Sequence, residues 1–167
     1  MEAKEVIALY TQFEKNSIKV WIDGGWGVDA LLGVQTRPHK DLDIAIASKD
    51  VATLHKVLIA KGYKKFREDS IWNIVFRDDK GNEIDYHAFI IDENQDIIGG
   101  IMYPTESLTG TGTIDGYTVS CISPKHMVEF HSGYELKEKD FQDVQALCKK
   151  FDIALPEEYS RFITIKK

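Results

Sequence analysis

Apolar positions recur along the chain with two different periods. Val6, Ile7, Tyr10 and Phe13 fall at helical spacing and predict an amphipathic helix from about Ala3 to Lys15. "IKVWID" (18–23) reads as a strand stopped by Gly24-Gly25, and "WGVDALLG" as a short helix with Gly33 at its C-terminal stop. In "HKDLDIAI" (39–46) the pattern changes to strict alternation. Leu42, Ile44 and Ile46 share one face of a strand, and Asp41 and Asp43 share the other, followed there by the small residues Ala45 and Ala47. Ser48 is placed to cap a further helix, whose stripe of Val51, Leu54 and Leu58 ends at Gly62.

The second half is richer in strands at first. "IWNIVFRDDKGNEIDYHAFII" (71–91) holds two alternating runs joined by "DDKG", which predicts a hairpin, and "GYTVSCIS" predicts one more strand. Ser123-Pro124 suits the start of a helix through "KHMVEFHSGY". "ELKEKDFQDVQALCKKF" predicts another, with Phe141, Val144, Leu147 and Phe151 facing the core. A short helical turn and then irregular chain is expected from Pro156. The order of elements predicts an α+β (α/β) fold, a small mixed β-sheet with helices packed against it. It is read as a single domain over residues 1–167, with the C-terminal helices from about 123 packed on the sheet.

Composition narrows the function. A chain of 167 residues can bury a sizeable core. No apolar run approaches the ~18 residues of a membrane helix, and the first residues lack a signal-peptide layout. Two distant cysteines, Cys121 and Cys148, without metal-type spacing fit a reduced cytoplasm and no disulfide. A formal charge of −6 argues against nucleic acid, whose phosphates need clustered Lys and Arg.

Two like charges on one face of a strand have a bland explanation, an exposed sheet edge. Two features point elsewhere. A strand runs into Gly24-Gly25 and a helix start, where backbone N–H groups can approach an anion closely. Downstream, "NEIDYHAF" adds Asp85, with His87 on its own face. Asp41, Asp43 and Asp85 beside a glycine-lined anion site suit Mg²⁺, a hard cation that takes one or two carboxylates plus substrate phosphates. Arg37, His39 and Lys40 precede the acidic strand and stand either as phosphate contacts, Arg37 foremost, or as a solvated basic loop. His87 either orients substrate or satisfies a neighbour. Lys139, Asp140 and Asp143 form either a solvated helix face or a substrate-facing one. Asp29 is read as complementing its helix dipole, His126 and His131 as structural, and Trp21, Trp26 and Trp72 as core, with Trp26 close enough to the glycines to line a site.

"DGGWGVDALLG" followed by "TRPHKDLDIAI" resembles the nucleotidyltransferase signature of Gly-Gly on a short helix and Asp-x-Asp on a strand. More narrowly the chain resembles the small lincosamide nucleotidyltransferases. "IDYHAF" and "FHSGYELKEKDFQDVQAL" are similar to that group in wording and order, and the aminoglycoside 2''-adenylyltransferases share much of the first segment. The likeness covers most of the chain and thins in 90–118 and the tail. It implies transfer of AMP, or another nucleoside monophosphate, from ATP or another nucleoside triphosphate to a hydroxyl of a lincosamide antibiotic, inactivating it. By the same resemblance Asp41 and Asp43 hold Mg²⁺ and the triphosphate, and Gly24, Gly25 and Arg37 bind phosphates. Asp85 activates the acceptor hydroxyl while also touching metal, and two chains form a homodimer. Aminoglycoside adenylylation, or an antitoxin-like modification of a protein partner, are the alternatives.

Overall fold

The computed structural model describes residues 1–164. The N-terminal helix α1 spans Ala3–Lys15 and buries Val6, Leu9, Tyr10 and Phe13, the stripe its periodicity predicts. Strand β1 is Val20–Ile22 and helix α2 is Gly24–Leu32, ended by Gly33 in the left-handed conformation. Strand β2, Asp41–Ala47, follows, then a single 3-10 turn over Ser48–Asp50 and helix α3, Val51–Ala60. Ser48 makes no capping bond to this helix; the 3-10 turn replaces the expected cap.

Strands β3 (Lys64–Ser70), β4 (Asn73–Arg77) and β5 (Glu83–Ile91) form an antiparallel meander. The β4–β5 turn is the predicted hairpin, with the Asp78 carboxylate accepting the N–H groups of Lys80 and Asn82. Strand β6 (Ile97–Gly100) returns along β5, and β7 (Gly110–Ile114) and β8 (Tyr117–Cys121) form a second hairpin. Helices α4 (Pro124–Phe130), α5 (Glu138–Phe151) and α6 (Ser160–Thr164) complete the described chain. "HSGY" lies in the loop between α4 and α5, outside the helix expected to contain it. Residues 165–167, the expected irregular end, lie outside the described residues.

The strands make one mixed sheet in the order β3-β4-β5-β2-β1-β8-β7, with β6 also on β5. Strand β2 is therefore central, parallel to β5 on one side and antiparallel to β1 on the other. The exposed-edge explanation for its aspartates fails on this topology. Helix α2 lies very close to the sheet. A Cβ on Gly27 would stand 2.9 Å from the Ile22 carbonyl oxygen, and one on Gly112 of β7 would stand 2.3 Å from the Ala30 carbonyl oxygen. Helices α4 and α5 pack chiefly on α2 and on each other. Both cysteines are buried and free. Among the described residues no helix is long and apolar enough to cross a membrane.

Candidate active site

Register builds the site from two neighbouring strands. On parallel β2 and β5, Asp43 pairs with Asp85 and Ala45 with His87, so the small residue on β2 leaves space beside the histidine. Leu42, Ile44 and Ile46, on the opposite face of β2, are buried. Asp41 is exposed and Asp43 half-buried.

The glycines lie in the first turn of α2, one step later than a loop before the helix. Gly24 has φ +55, and a Cβ there would lie 2.0 Å from Asp43 Oδ2; a Cβ on Gly25 would lie 2.5 Å from His39 Nδ1 and 2.9 Å from Arg37 Nη2. Their missing side chains let a carboxylate and a guanidinium approach the positive end of the helix. Asp23, which sequence reasoning passed over, caps α2 by accepting the Gly24 N–H at 2.8 Å and takes the Tyr103 hydroxyl at 3.2 Å.

Negative charge here is under-compensated. Burial pushes the Asp43 carboxyl well above the usual aspartate range, and Asp41, Asp85 and Asp23 push it further against the opposing charge of Lys139. Burial also raises Asp85, opposed by His87, Asn73 and Arg67. Asn73 Nδ2 donates to Asp85 Oδ1 at 2.5 Å, and Arg67 Nη2 stands 3.9 Å from Oδ2. Neither partner is signalled in sequence, because β4 and β3 bring them in only through sheet pairing.

Two clefts meet at this point. One of about 320 Å³ is lined by Gly24, Gly25, Arg37, Asp41, Asp43 and Lys139, among others. The second, about 220 Å³, is lined by Asp23, Gly24, Asp43, His87, Phe130 and Tyr134, with His131. Gly24, Asp43, His131 and Tyr134 belong to both. Asp85 lines neither, although it stands next to Asp43 across the ladder. A further hollow, about 400 Å³ on another flank of α2, is lined by neither Asp41 nor Asp43.

Arg37 lies between His39 Nδ1, 3.0 Å from its Nη1, and Asp143 Oδ2, 2.8 Å from its Nη2. His39 in turn meets Asp29 Oδ2 at 2.5 Å. Asp29 thus anchors His39 and Thr36, a structural use beyond the helix dipole. Lys40 is exposed and lines neither cleft. Asp140 is buried and accepts the Lys137 N–H at 2.8 Å, capping its own helix. It also helps burial raise the Tyr134 phenol to about 12. His131 Nδ1 meets the Met127 carbonyl at 2.8 Å, a structural contact, and the residue also lines both clefts. His126 pairs with Ser123 and stays outside both. Trp21 and Trp26 are buried in the core and Trp72 packs half-buried against it.

Among the described residues no three of His, Cys, Asp and Glu stand close enough together to hold a metal ion by themselves. The Asp41–Asp43 pair, with its surplus charge, fits a cation that draws its remaining ligands from phosphate and water.

Known proteins share this architecture. A lincosamide resistance protein from Staphylococcus haemolyticus is 29% identical over 150 residues, covering 86% of this chain and 92% of the relative. The crystal structure of lincosamide antibiotic adenylyltransferase LnuA with bound lincomycin superposes with a TM-score of 0.78 at 27% identity, covering 90% of this chain and 97% of that one. ANT(2'')-Ia in complex with adenylyl-2''-tobramycin shares the fold, with a TM-score of 0.76 at 17% identity over 99% of this chain and 98% of that one. The sequence profile described as aminoglycoside-2''-adenylyltransferase matches residues 5–147, and the chain belongs to that family of nucleotidyltransferases.

Proposed function

We propose that the protein transfers a nucleoside monophosphate, AMP from ATP in the first instance, to a hydroxyl of a lincosamide antibiotic and thereby inactivates it. The observation that carries this reading is the position of Asp43, shared by two clefts on the central strand and in register with Asp85. The cleft bearing Arg37 and Lys139 takes the triphosphate, and the one bearing His87, Phe130 and Tyr134 takes the acceptor. The first-turn amides of α2 and Arg37 bind phosphate oxygens. Asp41 and Asp43 would hold Mg²⁺, which would supply charge stabilisation to the transferring phosphoryl group. The acceptor oxygen forms a bond to the α-phosphorus as the bond to pyrophosphate breaks, and Asp85 takes the acceptor's proton. Burial of Asp85, which raises its affinity for a proton, suits that role. Contact of Asp85 with the metal is a further part of the proposal.

The lincosamide reading is preferred because the two relatives named for that antibiotic class each cover most of this chain. The name of the matching family keeps aminoglycosides as the second reading. A homodimer in the cytoplasm completes the proposal. Exposed Ile71 and Met102 flank Trp72 and Ile101, which both bond Ala88 along the edge of β5, and would give a second copy an apolar rim to cover. Incubation with Mg²⁺, ATP and a panel of acceptors, read by mass, tests the assignment. Lincomycin or clindamycin gains one AMP; gain by an aminoglycoside alone establishes the second reading, and labelling of protein alone defeats both.

A further inference from the structure

Arg37 sits in the segment between α2 and β2, which no regular element holds in place. Two anchors from different parts of the chain fix it. A guanidinium only donates, so His39 Nδ1 must accept from Arg37 Nη1 at 3.0 Å. The ring proton then lies on Nε2, which donates to Asp29 Oδ2 at 2.5 Å, while Thr36 donates to the other Asp29 oxygen through its N–H at 3.1 Å and its hydroxyl at 2.6 Å. On the other side Nη2 donates to Asp143 Oδ2 at 2.8 Å, across 106 positions of sequence. Asp29, His39 and Asp143 are 2%, 4% and 4% exposed, so the anchors are far more buried than the Arg37 side chain, which is 29% exposed.

We propose that Asp143, with the Asp29–His39 pair behind it, is a positioning residue that holds the Arg37 guanidinium aimed at the triphosphate. This rests on the nucleotide reading of the Arg37 cleft. Both Nη groups are fixed, which sets the guanidinium plane, and each keeps a second N–H for a ligand. Arg37 Nε is buried without a protein partner. Absence of a Cβ on Gly25 lets Nη2 lie against the first turn of α2, so guanidinium and helix amides face one anion together. Ordering a long side chain during folding removes that cost from nucleotide binding. Asp143 thereby acquires a role in binding that its place on an outer helix conceals.

The test is a double-mutant cycle on the full chain, with Mg²⁺-ATP binding measured by calorimetry and unfolding followed without ligand. Asp143→Asn is expected to weaken Mg²⁺-ATP about tenfold and to raise KM for ATP more than it lowers kcat. Arg37→Lys, which keeps charge but cannot bridge both anchors, weakens binding at least as much. The double variant binds like Arg37→Lys alone, because Asp143 acts through the guanidinium. Asp143→Glu recovers part of the loss. Normal binding by Asp143→Asn with weak binding by Arg37→Lys overturns the positioning role and leaves the nucleotide cleft standing. Additive losses in the double variant overturn it too. Normal binding by Arg37→Lys and by Arg37→Ala removes Arg37 from the nucleotide site and with it the reading beneath. Should Asp143→Asn fail to fold, KM for ATP of Asp143→Glu decides: an unchanged value is against the proposal.

Discussion

Asp43 stands at the positive end of α2, yet its carboxyl is held above its ordinary value of 3.8 because burial and three neighbouring aspartates outweigh the helix and Lys139. The native state therefore binds a proton more tightly than the unfolded chain. Its contribution to stability is complete below the ordinary value and is lost as pH rises through the raised one. Asp43→Asn should melt above the ligand-free wild type at neutral pH by about 2–4 °C. That advantage should shrink as pH falls toward 3.8, which thermal melts across pH would record. A wild type that melts above Asp43→Asn at neutral pH without divalent metal would contradict this charge balance. Asp85 is the second test at this scale. Asp85→Asn should leave Mg²⁺-ATP binding near normal and lower single-turnover transfer by ~10²–10⁴. Rescue of its rate by high Mg²⁺ would make metal contact its whole role and remove it as the base. Asp41, Asp43, Asp85, Gly24, Gly25 and Arg37 could be nominated from sequence because their spacing is local. The partners that orient them come from other elements: Asn73 beside Asp85 carries no local signature, and the helical spacing of Asp143 with Asp140 leaves its partner Arg37 unstated.

At the scale of elements, α1, β2, the β4–β5 hairpin and α5 were legible because each has a clean apolar period. Strand β3 was not: all seven of its residues are exposed, so no alternation marks it, and its charges protect an open sheet edge. Strand β7 hid behind Gly110 and Gly112, where backbone contact replaces side-chain packing. The start of α2 was displaced because two glycines look like a break, whereas Asp23 caps a helix that needs them bare. Gly24→Ala puts a methyl group into the Asp43 carboxylate at a positive φ. It should destabilise the fold by about 1–3 kcal/mol in denaturant unfolding and lower transfer. Wild-type stability and activity together would remove the close approach from the mechanism.

Across the whole molecule, the N-terminal half supplies the acidic strand and the C-terminal helices close over it. The loop between α4 and α5 carries His131 and Tyr134 to the clefts, and the last described residues tie it down. Tyr159 bonds the His131 carbonyl, and Arg161 donates to the Leu136 carbonyl at 3.0 Å. Pairing of two chains across the exposed Ile71 and Met102 rim predicts a dimer in sedimentation equilibrium that Met102→Glu with Ile71→Glu converts to monomer; a wild-type monomer at all concentrations would refute it. The most direct measurement of the central claim is the mass of lincomycin after incubation with Mg²⁺, ATP and either wild type or Asp43→Asn. Transfer centred on Asp43 predicts one added AMP with the wild type and none with the variant. An unmodified drug from a folded, nucleotide-binding wild type, or equal modification by both, would contradict it.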